Sequence, residues 1–178
     1  MLELRALGSA EIKTDVTTLT PSQEIVFASA LYLLLERSRR TSRSGLAELL
    51  WPSVEASVRS HRLRQTLLQL KKLGFPVLAD RDRIGLSTGE VRIDVDLVKV
   101  GETGFTHEQS LEFLPGYSPL FSEPFRDWVD GKRSEVNSIC SRLLLNSLGA
   151  ERTAHIGLLL RRLLGKSCFW TLITRAQF

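Results

Sequence analysis

The sequence predicts an α+β fold: a small N-terminal sheet, three helices and a β-hairpin, followed by an all-α segment. Three features carry that expectation. Residues 2–19 alternate apolar and polar positions as short strands do, residues 20–73 carry helix caps and apolar positions at helical spacing, and residues 75–93 return to strand patterning around a charged tip. The 178 residues are 43% apolar and 25% charged, enough for a buried core and too apolar for an extended disordered chain.

Leu2, Leu4 and Ala6 alternate with Glu3 and Arg5, Gly8-Ser9 marks a turn, and Ala10 and Ile12 alternate with Glu11 and Lys13. Thr17-Thr18-Leu19 suits a third short strand. Thr20 is placed as an N-cap, with Pro21 at the first helical position and Gln23 closing a capping box. Val26, Phe27, Ala30, Leu31 and Leu34 then form one apolar stripe. Arg37, Arg39 and Arg40 put positive charge at that helix's C-terminal end, where the helix dipole favours it. A second helix is expected over residues 42–50, with Leu46, Leu49 and Leu50 inward and Pro52 stopping it. Ser53 suits the cap of a third helix, with Glu55 in its first turn. That helix would bury Ala56, Ser60, Leu63, Leu67 and Leu70 and end at Leu73, with Gly74 as the C-terminal glycine and Pro76 beyond. Val77-Leu78 and Ile84-Gly85-Leu86 flank the tip Asp80-Arg81-Asp82-Arg83, and Val91-Arg92-Ile93 follows. A short helix, a longer one and then a basic-tipped hairpin are the layout of a winged helix-turn-helix.

After Asp94 the pattern changes, so the expected domains are 1–94 and 95–178. Leu114-Pro115-Gly116-Tyr117 is a turn. Residues 123–148 suit a helix with Phe125, Trp128, Val129, Val136, Ile139, Leu143 and Leu144 apolar, and a last stretch, 153–164, has helically spaced leucines. Cys140 and Cys168 make no metal or redox spacing, the N-terminus carries charges where a secretory signal would be apolar, and no apolar run is long enough to span a membrane. These features fit a reducing cytoplasmic setting.

The formal net charge of +4 is modest, but it is unevenly distributed. Residues 37–83 hold 11 Lys/Arg against 4 acids, and residues 90–130 hold 3 against 9. A basic module followed by an acidic one suggests a polyanion binder and then something else. Within the basic module, residues 56–73 contain five Lys/Arg, one His and no acid, whereas a merely solvated helix face usually mixes both signs. With the apolar stripe inward, His61, Arg62, Arg64, Gln65, Leu68, Gln69 and Lys72 point outward. Arg can pair with guanine and Gln with adenine in the major groove, while Lys, His and further Arg suit phosphates. Leu68 has three readings: contact with a thymine methyl, contact with a neighbouring protomer, or packing under the hairpin. Arg81 and Arg83 are spaced to point the same way from a strand into a minor groove; a salt bridge to Asp80 or Asp82 is the alternative.

Leu49-Leu50-Trp51-Pro52, the run Arg62 to Gly74, and Val91-Arg92-Ile93-Asp94-Val95-Asp96 together resemble the antibiotic-regulatory (SARP-type) bacterial transcription factors. Leu114-Pro115-Gly116-Tyr117 and Trp128-Val129 with Lys132-Arg133 resemble the start of that family's second domain. The resemblance covers roughly residues 1–145. It implies a response-regulator-like winged helix followed by a bacterial transcriptional activation domain of tetratricopeptide-like hairpins. That domain normally continues through more hairpins, so residues 95–178 are expected to hold an incomplete one. The resemblance implies base reading at Gln65, Thr66 and Gln69, phosphate contacts near His61, Arg62, Lys71 and Lys72, and a wing on Arg81 and Arg83. Thr66 lies at the edge of the buried stripe, and Gln69 stands where the family commonly has a basic residue, so base preference does not carry over. Combining both readings, the expected base contacts are Gln65, Thr66, Gln69 and Arg62. The expected phosphate contacts are Arg43, His61, Arg64, Lys71 and Lys72, with Arg81 and Arg83 on the wing.

No catalytic constellation emerges. Gly157 and Gly165-Lys166-Ser167 suggest a phosphate loop, but that motif needs glycine at position 160, which is Leu. Asp94 and Asp96 suit the cap and first turn of a following helix better than acid–base chemistry. His61, His107 and His155 are too scattered for a metal site, and Trp51, Trp128 and Trp170 suit packing. The expected function is therefore a non-enzymatic, cofactor-free, sequence-specific bacterial transcriptional regulator in the cytoplasm, associated with the nucleoid. Helix 54–73 would enter the major groove and wing 77–86 would lie at the minor groove or backbone. The expected partners are double-stranded promoter DNA, RNA polymerase and a second copy on DNA, with no membrane. The alternative is a protein-interaction adaptor that uses the winged helix and the helical segment without binding DNA.

Overall fold

The structure, a computed structural model, describes residues 1–38, 40–87, 91–96 and 112–142. Its named elements are β1 (Leu2–Arg5), β2 (Glu11–Lys13), β3 (Thr18–Leu19), α1 (Glu24–Leu35), β4 (Thr41–Ser42), α2 (Arg43–Leu50), α3 (Ala56–Lys72), β5 (Val77–Ala79), β6 (Arg83–Leu86) and β7 (Val91–Ile93). Residues 123–142 form a further helix. The fold is α+β, with a small mixed N-terminal sheet and a helical C-terminal part. No helix among the described residues is long and apolar enough to cross a membrane.

The period-2 pattern at the N-terminus buries Leu2, Leu4, Ala6 and Ile12 on one face of a sheet. β1 and β2 pair antiparallel with Leu4 opposite Ile12, and β3 pairs with β2. β7 then joins the other side of β1, parallel to it, giving the order β3-β2-β1-β7. The last strand of the expected hairpin region thus belongs to the N-terminal sheet. Asp94 secures this closure, because its carboxylate accepts from the Ala6 and Leu7 amides at 2.7 and 2.8 Å and from Val95 N–H at 2.8 Å. Asp96, two residues on, pairs with Arg37 just beyond α1.

α1 is the central core helix, with Val26, Phe27, Ala28, Ala30, Leu31, Leu33 and Leu34 all buried. It starts later than the capping signature suggests. Thr20 accepts Gln23 N–H in a turn with Pro21, whose fixed φ suits the second position of a turn as well as the first turn of a helix. Gln23 is the N-cap and makes no side-chain capping bond. α2 begins as expected, with Ser42 Oγ accepting Gly45 N–H at 3.3 Å, and buries Leu46, Ala47 and Leu50. Leu49 is half-buried. α3 begins after Glu55 rather than Ser53 and buries Leu63, Thr66, Leu67 and Leu70. It ends in the expected glycine motif: Gly74 has φ +87°, its N–H reaches Lys71 O at 3.1 Å, and Phe75 N–H reaches Leu70 O at 3.0 Å.

β5 and β6 form the charged-tip hairpin, and β4 adds to β6, so the second sheet has the order β4-β6-β5. Two compact units divide the chain, Met1–Asn137 and Ser138–Phe178. The boundary expected after Asp94 falls inside the first unit, because residues 112–137 pack onto the N-terminal elements. Leu114 N–H donates to Ala6 O at 2.7 Å, and Gly8 N–H to Glu112 O at 2.9 Å. Ser122, N-terminal to the 123–142 helix, donates its hydroxyl to Leu49 O at 2.6 Å and accepts Phe125 N–H at 3.3 Å. Trp128 lies against Tyr32 of α1 with ring centroids 4.8 Å apart. The 153–164 leucine stretch, Gly157, the Gly165-Lys166-Ser167 run, His107, His155, Cys168 and Trp170 lie outside the described residues, as does Arg39.

Candidate nucleic-acid interface

α3 is a 17-residue helix, about 25 Å long at the standard rise. Its buried residues lie along one side of its C-terminal two-thirds, so helical geometry places His61, Gln65, Leu68 and Lys72 at the centre of the opposite side. Arg62 and Gln69 flank that line on one edge, Arg64 and Lys71 on the other, and all eight are exposed. Ala56 and Ser60, expected in the buried stripe, are exposed instead. The first turns of α3 therefore project beyond the core, since the neighbouring elements cover the helix only from Leu63 onward.

Thr66 requires a correction. It is 6% exposed, and its hydroxyl donates to Arg62 O at 3.0 Å within the helix. It lies between Leu63 and Leu70 on the inner side, so it has no surface to offer a base edge. The other expected α3 contacts share one face. Arg59, Arg62, Arg64, Lys71 and Lys72 make no ion pair among the described residues.

The hairpin tip is fastened to the start of α2. Arg43 N–H donates to Asp82 O at 2.9 Å, and the Arg43 guanidinium donates to Asp80 O at 3.2 Å. The Asp80 carboxylate pairs with Arg40. This pair occupies one of the acids that would otherwise neutralise the tip. Arg81 and Arg83 are exposed and form no salt bridge among the described residues. Arg81 sits in the turn and only Arg83 in β6, so the expected alternation of both along one strand does not hold.

Arg43, Arg81, Ser42, Ser44, Ser60 and Leu63 line, together with Asp82, an open cleft of about 240 Å³ between α2, α3 and the tip. Arg43 is half-buried, with part of its guanidinium committed to the Asp80 carbonyl. The cleft brings the tip arginine Arg81, Arg43 of α2, and Ser60 and Leu63 of α3 to one place. Sequence reasoning did not anticipate β4, which draws Arg40 and Arg43 to the tip; a two-residue strand has too little pattern to stand out. No protein-family model and no curated protein matches the chain.

Proposed function

We propose that this protein is a sequence-specific, double-stranded-DNA-binding transcriptional regulator of SARP-like, winged-helix type, with α3 as the reading helix and the β5–β6 hairpin as the wing. The observation that carries the reading is the outward side of α3: an exposed, acid-free face whose four cations, Arg62, Arg64, Lys71 and Lys72, have no acidic partner among the described residues. Arranging uncompensated charge along one helix costs stability through self-repulsion, and a polyanion relieves it. Gln65 and Gln69, one turn apart, offer amides that can pair bidentately with adenine, and Arg62 can pair with guanine. Arg64, His61, Lys71 and Lys72 would hold phosphates, with Arg43, Arg81 and Arg83 extending contact past the cleft. The helical segment after residue 94, by the same resemblance, would engage RNA polymerase.

The test is titration of the full chain with duplexes selected from a randomised pool, repeated from about 50 to 200 mM salt. With six or more phosphate contacts, affinity should fall by about 10³-fold across that range. Lys72→Ala should weaken all duplexes alike and reduce the log–log salt slope by about one, while Gln69→Ala should relax preference at a single position. Absence of duplex binding at low salt would refute the reading. The full chain is the right reagent, because a cut after residue 94 or 100 would strip residues 112–137 from α1.

A further inference from the structure

Leu68 stands at the centre of the outward side of α3 and is 49% exposed, so it does not pack under the hairpin. Its helical neighbours at three and four positions are Arg64, Gln65, Lys71 and Lys72, all exposed. A protruding apolar group ringed by three cations and an amide is poorly matched to an apolar protein groove, where those cations would be desolvated without partners. It is well matched to a surface that presents one small apolar group among many negative charges. The major groove of DNA is such a surface, and its apolar group is the C5 methyl of thymine.

We infer that Leu68 is a specificity-determining residue that reads a thymine methyl in the major groove. The inference rests on the DNA-binding reading above and sharpens it. Gln65 lies one turn before Leu68 on the same line, so the amide that pairs with adenine and the side chain that meets thymine would fall on adjacent positions of an A·T-containing half-site. Phosphate contacts from Arg64, Lys71 and Lys72 would hold the helix at that depth.

The experiment takes the best duplex selected from the randomised pool and replaces each thymine in turn by deoxyuridine. This removes the C5 methyl and leaves base pairing unchanged. Wild-type full-length protein should lose about three- to five-fold in affinity at one or two positions, the loss expected for one buried methyl group. Leu68→Ala should bind the parent duplex less tightly by a similar factor and be indifferent to deoxyuridine at those same positions. Because Leu68 is exposed, the variant should melt like the wild type. If deoxyuridine affects neither protein, or both equally, the inference fails while the DNA reading stands. If Leu68→Ala instead abolishes self-association measured by sedimentation and keeps the deoxyuridine response, Leu68 is a protein contact and the inference is overturned. If no duplex is selected at low salt, the DNA reading fails and takes this inference with it.

Discussion

Lys132 is held by Glu36 at 3.0 Å and Glu135 at 3.5 Å, and Arg133 pairs with Asp130 while donating to three backbone carbonyls. Arg62, Arg64, Lys71 and Lys72 on α3 project into solvent with no acidic partner among the described residues. The same residue types thus serve two purposes in one compact unit. Along the 123–137 segment the cations are spent inside the fold. Burial works against the Lys132 ammonium, yet the hydrogen bond and charge of Glu36, helped by Glu135, outweigh it and hold its pKa above the usual lysine value. On α3 no such compensation exists. Charge that the fold does not consume is available to a partner, which is why the difference locates the candidate interface more sharply than net charge does.

The contrast implies opposite phenotypes for similar substitutions. Arg133→Ala should have the largest effect on stability. It removes a donor from the carbonyls of Phe113, Leu114 and Tyr117, of which Leu114 O keeps the Tyr117 N–H at 3.2 Å, at the turn where Leu114 and Gly116 take positive φ, 48° and 68°. A loss of about 3 kcal/mol in urea-denaturation free energy is expected. Lys72→Ala should change the same quantity by less than about 0.5 kcal/mol, its effect falling on polyanion affinity instead. Equal effects on stability would break the comparison.

Next in size is the junction between the two regimes. Gly74 ends α3 at φ +87°, and an added Cβ would lie 3.2 Å from Val16 Cγ2. Gly74→Ala should cost about 1–2 kcal/mol in unfolding free energy, from left-handed strain and crowding against the β2–β3 turn. Thr14 of that turn donates to Leu73 O at 2.8 Å, so the glycine and the turn fix the end of α3 together. The salt slope of polyanion binding should not move, because Gly74 anchors the helix without belonging to its outward side.

These residues also show which parts of the molecule were readable in the sequence. Gly74 was legible because a C-terminal glycine leaves a local signature. The outward side of α3 was legible from Leu63 onward, since spacing alone separates it from the buried stripe. Ala56 and Ser60 misled because small residues fit a buried stripe by size, and only tertiary packing decides whether anything covers them. Thr66 misled for the opposite reason: a β-branched alcohol bonded to its own helix at Arg62 O can be buried without penalty, so its polarity said little. The parallel pairing of β7 with β1 joins residues about ninety positions apart, and no local pattern encodes that choice. The docking of residues 112–137 onto α1 was equally hidden, because its ties are single contacts such as Trp128 Nε1 to Glu36 at 3.4 Å.

The smallest expected effect concerns Asp94, an acid whose hydrogen bonds are spent inside the fold. Burial pushes its carboxyl above the usual aspartate range, against the pull of the Leu7, Ala6 and Val95 amides. The folded protein therefore takes up this proton at a higher pH than the unfolded chain does. Between the two pKa values the native state binds more protons, so this group's contribution to stability rises as pH falls through the folded pKa and levels off below the unfolded value, about 3.9. Above that window the ionised carboxylate carries a burial cost that its three amide donors only partly offset. Asp94→Asn cannot titrate, and its NH₂ would have to face one of those donors. The unfolding free-energy difference between wild type and Asp94→Asn should therefore move in favour of wild type on acidification through the window, measured by denaturant titration at stepped pH. A difference that moved the other way would mean the amide bonds outweigh burial.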